Sequence, residues 1–72
     1  METKLKRAFA DTLKKYRKKK NLSQEELAFA AGLTRAHISD LEAGEIDPGF
    51  YTVFKLSKAL KINNFDAFDH NL

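Results

Sequence analysis

Apolar residues return every three or four positions along most of this chain, and no stretch alternates between apolar and polar. Leu5, Ala8, Phe9, Thr12, Leu13 and Tyr16 form the first such stripe, with the lysines and Arg7 mostly off it. That is the pattern of an amphipathic helix. It predicts a helix from about Glu2 to about Lys19, with Asn21 as a left-handed closing residue. A second helix is announced at Ser23, whose hydroxyl can accept from the Glu26 amide while Glu26 reaches back. This is a capping box, and Leu22 and Leu27 flank it as a hydrophobic staple. Leu27, Ala28 and Ala31 make the inward face, and Gly32 ends the helix, because a residue without Cβ turns left-handed at little cost.

Leu33 follows, and Thr34 is a good N-cap for a third helix with Ile38 and Leu41 inward and Gly44 at its close. Glu45 to Gly49 has turn chemistry and no periodicity, so it reads as a loop. A fourth helix is expected from about Phe50, burying Phe50, Val53, Leu56 and Leu60. Asn63 or Asn64 can cap a short fifth helix carrying Phe65 and Phe68. The expected fold is all-α, a compact five-helix bundle, with residues 1–72 as a single domain.

Length and composition narrow the classes. A chain of 72 residues buries only about 60 % of its unfolded surface. Its core must be efficient, since there is no cysteine to staple it. The sequence offers no metal-ligand cluster and no phosphate-binding glycine loop, so no metal and no cofactor are expected. The first twenty residues hold no apolar run, which argues against a signal peptide or membrane span and for a cytoplasmic protein.

The net charge of +3 hides a strong asymmetry. Residues 1–20 carry nine basic side chains against Glu2 and Asp11, a net +7, and the remainder carries −4. Charge segregated in this way suits a polyanion, either nucleic acid or an anionic membrane. The run Arg17 to Lys20 equally suits a solvated helix end, where cations favour the negative pole of the dipole. Composition leaves these open.

The two short helices around Gly32-Leu33-Thr34 change that balance. Leu22-Ser23-Gln24-Glu25-Glu26-Leu27-Ala28, then Gly32-Leu33-Thr34, Ile38-Ser39, Leu41-Glu42, Gly44 and Pro48 stand in the register of a helix-turn-helix. The chain resembles the Cro and phage-repressor family of helix-turn-helix proteins, with the motif at about 23–43 and the likeness running from about Phe9 to Phe68. Within that family it looks most like the controller proteins of restriction–modification systems, through Leu27-Ala28-Phe29, Leu33-Thr34-Arg35, His37 and Ile38-Ser39. Thr34 and Ala36 depart from the controllers' usual acidic residue and threonine. The resemblance implies a lambda-repressor-like fold and a sequence-specific double-stranded DNA-binding transcription regulator. It also implies a phosphate-contacting role for Gln24, and an ion pair between Arg17 and Glu42 joining the first helix to the end of the third.

Elementary chemistry gives the same site. A recognition helix enters the major groove with its N-terminal residues nearest the base edges. With Ile38 and Leu41 inward, Arg35, Ala36, Ser39 and Asp40 must lie on or near the outer face. Arg35 can offer its planar fork to guanine O6 and N7, Ala36 can meet a thymine methyl, and Asp40 can accept from a cytosine amino group. Ser23 and Gln24 open the second helix, whose amide end suits a phosphate. Thr34 combines a cap with a possible phosphate donor, and His37 packs beside it or touches backbone. Glu45 and Asp47 stand where the family often has basic or small residues, which puts contacts from that loop in doubt. Gly49 replaces a serine cap, and Lys61 stands where glycine often ends the fourth helix.

His37, Ser39 and Asp40 are too close along one helix to converge into a catalytic triad, so no enzyme is expected. Two other classes remain in view. The first helix could be a basic amphipathic element for a membrane or partner, although its stripe is more economically used as core. An antitoxin or adaptor would bind mainly another protein. Tyr51 and Phe54 lie off the expected inward face of the fourth helix, and Phe65 and Phe68 add aromatic surface if the fifth folds back. Such a patch seldom stays uncovered. The controllers dimerise through apolar residues at the positions of Tyr51 and Phe54, which implies a homodimer on a palindromic operator. With no sensing domain in view, no small-molecule effector is expected.

Overall fold

Four helices account for most of residues 3–62, the part of the chain described by the computed structural model. They are α1 (Thr3–Lys19), α2 (Gln24–Ala31), α3 (Arg35–Glu42) and α4 (Gly49–Leu60). No strand occurs among the described residues. The fold is therefore all-helical with four helices described. The expected fifth helix, with Asn63 or Asn64 as its cap and Phe65 and Phe68 on it, lies outside the described residues.

The ends of the helices follow the expected capping chemistry. Ser23 Oγ accepts from the Glu26 amide at 3.0 Å while Glu26 Oε1 accepts from the Ser23 amide at 2.8 Å. Thr34 Oγ1 accepts from the His37 amide at 3.1 Å. Each such cap satisfies an amide that the helix itself leaves orphaned. All four helices stop at a left-handed residue: Asn21, Gly32, Gly44 and Lys61, with φ between 58° and 73°. At each stop that residue's amide and the next one fold back onto the last turn, as in Leu33 N to Ala28 O at 2.8 Å. Gly32 makes this turn within the helix-turn-helix itself, so α2 and α3 are joined by only three residues.

α1 lays Phe9 and Leu13 against Leu27, Ala28 and Ala31 of α2, Ile38 and Leu41 of α3, and Leu56 and Leu60 of α4. Tyr16, Leu22, Leu33, Ile46 and Val53 pack around this centre. The stripes expected on α1, α2 and α3 are thus the buried ones. Removing such a face would cost on the order of 1.5–3 kcal/mol per large side chain. α1 is accordingly part of the core, and a detachable membrane or partner helix is a poor description of it.

The expectation for α4 fails at one residue. Phe50 is 69 % exposed, whereas Leu56, Ser57 and Leu60 are buried. The reason is position along the axis: seven residues bring a helix back to nearly the same face, so Phe50 shares a side with the buried Ser57 but stands in the first turn of α4. The buried residues of α4, Leu56, Ser57 and Leu60, lie in its last two turns, and that face does not extend back to Phe50. Ser57 is buried there with its hydroxyl donating to the Val53 carbonyl at 2.8 Å.

Candidate nucleic-acid interface

α3 is short and carried on its apolar side. Ile38 and Leu41 are buried, and this leaves Arg35, Ala36, Ser39 and Asp40 exposed on the remaining faces, with His37 half-buried. Arg35 is the first residue of α3, and no acid occurs in that first turn. The positive pole of a helix disfavours a cation by a few tenths of a kcal/mol or more. Local rules broken in this way mark functional positions more often than structural ones.

The start of α2 lies beside the end of α3. Gln24 Nε2 donates to Glu42 Oε1 at 3.1 Å. Glu42, only 3 % exposed as a side chain, also accepts from Arg17 Nε at 2.6 Å and Arg17 Nη2 at 3.0 Å. A third donor of the same guanidinium, Nη1, bonds the Leu22 carbonyl at 2.8 Å in the α1–α2 connection. The hydrogen bond to Glu42 holds the Arg17 guanidinium above its ordinary pKa, against the lowering effect of burial and with the attraction of Glu42 added. The ion pair expected between Arg17 and Glu42 is present. Gln24 is a member of this network, which the sequence reading did not anticipate. One amide hydrogen is committed to Glu42, and the group has a second.

Ser23 and Thr34 use their hydroxyl oxygens as acceptors in the two caps. Each therefore retains an O–H for an outside acceptor while its position is fixed by the helix it starts. Tyr51 is 69 % and Phe54 42 % exposed on α4. Phe65 and Phe68, grouped with them from the sequence, lie outside the described residues. Phe29 on α2 is 89 % exposed, the most open large apolar side chain described. Nothing singled it out in the sequence as a surface residue, because it stands beside Leu27 and Ala28 in a continuous apolar run.

Among the described residues no helix is long and apolar enough to cross a membrane. A helix-turn-helix family model matches residues 13–63. Control protein C.BamHI of Bacillus amyloliquefaciens is 43 % identical over 51 residues, 71 % of this chain and 63 % of that protein. An HTH-type transcriptional regulator of Methanocaldococcus jannaschii is 39 % identical over 56 residues, 78 % of this chain and 85 % of its own. The crystal structure of the restriction–modification controller protein C.AhdI from Aeromonas hydrophila superposes with a TM-score of 0.83 at 34 % identity, covering 86 % of this chain and 94 % of that one. These relatives are named as regulators and control proteins, not as enzymes. With its two capped helices, its tight Gly32 turn and these relatives, the chain belongs to the helix-turn-helix family of DNA-binding transcription regulators.

Proposed function

We propose that this protein is a sequence-specific regulator of the restriction–modification controller type, binding a palindromic operator on double-stranded DNA as a homodimer. The observation that carries the reading is the start of α3, where Arg35 and Ala36 stand exposed at a capped helix N-terminus. Arg35 reads a guanine edge, Ala36 meets a thymine methyl, and Asp40 accepts from a cytosine while repelling misplaced phosphates. Ser39 lies on the same exposed side and serves a base edge or the backbone. Ser23, Gln24 and Thr34 hold the phosphates on either side of the groove through their free O–H and N–H groups and the two helix N-termini. His37 packs at the margin of that contact. The ion pair of Arg17 and Glu42 does not touch DNA but fixes the angle between α1 and α3.

Two copies related by a two-fold axis through Tyr51 and Phe54 would set their α3 helices about 34 Å apart, one turn of DNA. Selection of duplexes from a random pool tests the reading. An enriched sequence with two inverted half-sites is expected, and its affinity should fall steeply as salt rises. A pool without enrichment would reject sequence-specific binding.

A further inference from the structure

α1 grips the end of α3 twice. Arg17 holds Glu42, the last residue of α3, and ten residues earlier Arg7 Nη2 donates to the Ala43 carbonyl at 3.0 Å. Ten residues span about 15 Å of helix, so two arginines reach one helix end from opposite directions along α1. Ala43 is the C-cap of α3, and its neighbour Gly44 turns left-handed at φ 73°. A Cβ built on Gly44 would lie 3.2 Å from Arg7 Cζ and 3.3 Å from Arg7 Nη2. The guanidinium therefore rests close against bare backbone, and a Cβ there would push it aside by a few tenths of an ångström. It also places a cation at the negative pole of α3, where the dipole favours one.

We infer that Arg7 is a positioning residue for DNA recognition: it fixes the α3 C-terminus and the turn after it, and so sets the depth at which the start of α3 enters the groove. This rests on the DNA-binding reading above. Arg7 belongs to the basic segment of the chain, and charge alone would assign it to phosphate. One of its N–H donors is instead turned to the protein's own carbonyl at the end of α3, so Arg7 should contribute to discrimination between sequences and not to the count of neutralised phosphates.

The test compares the wild-type chain, Arg7→Ala and Arg7→Lys on the duplex selected by the wild type and on a scrambled duplex. It is run over a salt series, with folding verified by circular dichroism. Arg7→Ala should bind the selected duplex up to about fivefold more weakly, since the free chain must restore on binding an arrangement that one exposed charge-assisted hydrogen bond otherwise holds. Affinity for the scrambled duplex and both salt slopes should stay unchanged, and Arg7→Lys should recover part of the loss. Amide exchange at Gly44 and Glu45 should quicken in Arg7→Ala without DNA. An equal loss on both duplexes with a slope reduced by about 0.9 would make Arg7 a phosphate ligand and overturn the inference. Undiminished affinity in the folded variant, or unchanged exchange, would overturn it too. If Arg7→Ala does not fold, Arg7→Lys decides: a loss confined to the selected duplex supports the inference, and none rejects it. A wild-type chain that enriches no duplex rejects the DNA reading itself, an outcome distinct from all of these.

Discussion

Arg17 and Glu42 meet through two parallel hydrogen bonds, 2.6 Å from Nε to Oε2 and 3.0 Å from Nη2 to Oε1, in a site almost closed to solvent. The fork matches the carboxylate edge to edge, a geometry that lysine could not reproduce. Because Glu42 Oε1 also accepts from Gln24, one carboxylate ties together the end of α1, the start of α2 and the end of α3. The three elements whose mutual angles define the helix-turn-helix share a single buried anion.

Removing that anion leaves a guanidinium with little access to water. Glu42→Ala should lower the free energy of unfolding by about 3 kcal/mol, the scale for a broken buried pair. Adding Arg17→Met to Glu42→Ala should restore part of this, since no buried charge is then left unpaired. Urea denaturation of the two single variants and the double variant measures both. Strictly additive losses would mean that the pair contributes no coupling.

Thr12 gives a second stability prediction. It is almost fully buried on α1, and its hydroxyl oxygen has no hydrogen-bond partner among the described residues. A buried hydroxyl without a partner carries a desolvation penalty that an apolar group of the same shape avoids. Thr12→Val keeps the volume and the branching, and should raise stability by about 1 kcal/mol. A lower melting temperature for Thr12→Val would show that the hydroxyl is satisfied after all.

The helix starts and stops were legible because each depends on chemistry within a few residues. Ser23 with Glu26, Thr34 and Gly32 are local signals, and the structure has them where the sequence puts them. The Arg17–Glu42 pair, separated by 25 residues, was accessible only through family resemblance, since no local rule couples the two positions. What escaped depends on the angle between helices. Ala10 is fully buried although it lies off the simple stripe, because α1 is covered over a wide arc. Phe50 was misplaced by extending a face past the reach of its core. Gln24 could be put at a helix start, but only packing shows that Glu42 stands within 3.1 Å of it.

Under the proposed function, charge and position separate two kinds of DNA contact. Arg35→Ala should relax base preference at one position in each half-site, with a loss of roughly 1–3 kcal/mol on the selected duplex. Alanine at Lys18 or Lys19, both exposed near the end of α1, should weaken all duplexes about equally and flatten the salt dependence. Repeating the selection with each variant distinguishes them. An unchanged base preference for Arg35→Ala would remove that residue from readout.

The dimer prediction rests on α4. Tyr51 and Phe54 are three residues apart, hence neighbours on one surface, and both are substantially exposed. Lys55 Nζ lies 4.9 Å above the Tyr51 ring and Lys58 Nζ 5.3 Å above that of Phe54. These lysines can swing to the rim of an interface on flexible stems while the rings enter its centre. Docking two copies would bury aromatic area that a lone chain leaves in water, and that gain must exceed the lost freedom of two separate chains. In the proposed dimer, Phe54→Glu would place a carboxylate beside its own symmetry mate at the two-fold axis, where like charges repel. It should give a folded monomer whose stability is little altered and whose operator binding is far weaker, because each half-site must then be occupied independently. Sedimentation of both proteins across the micromolar range, alongside binding to whole and half operators, measures the effect. A wild-type chain that remains monomeric at high micromolar concentration, or a Phe54→Glu variant that binds the whole operator undiminished, would exclude this face as the dimer contact.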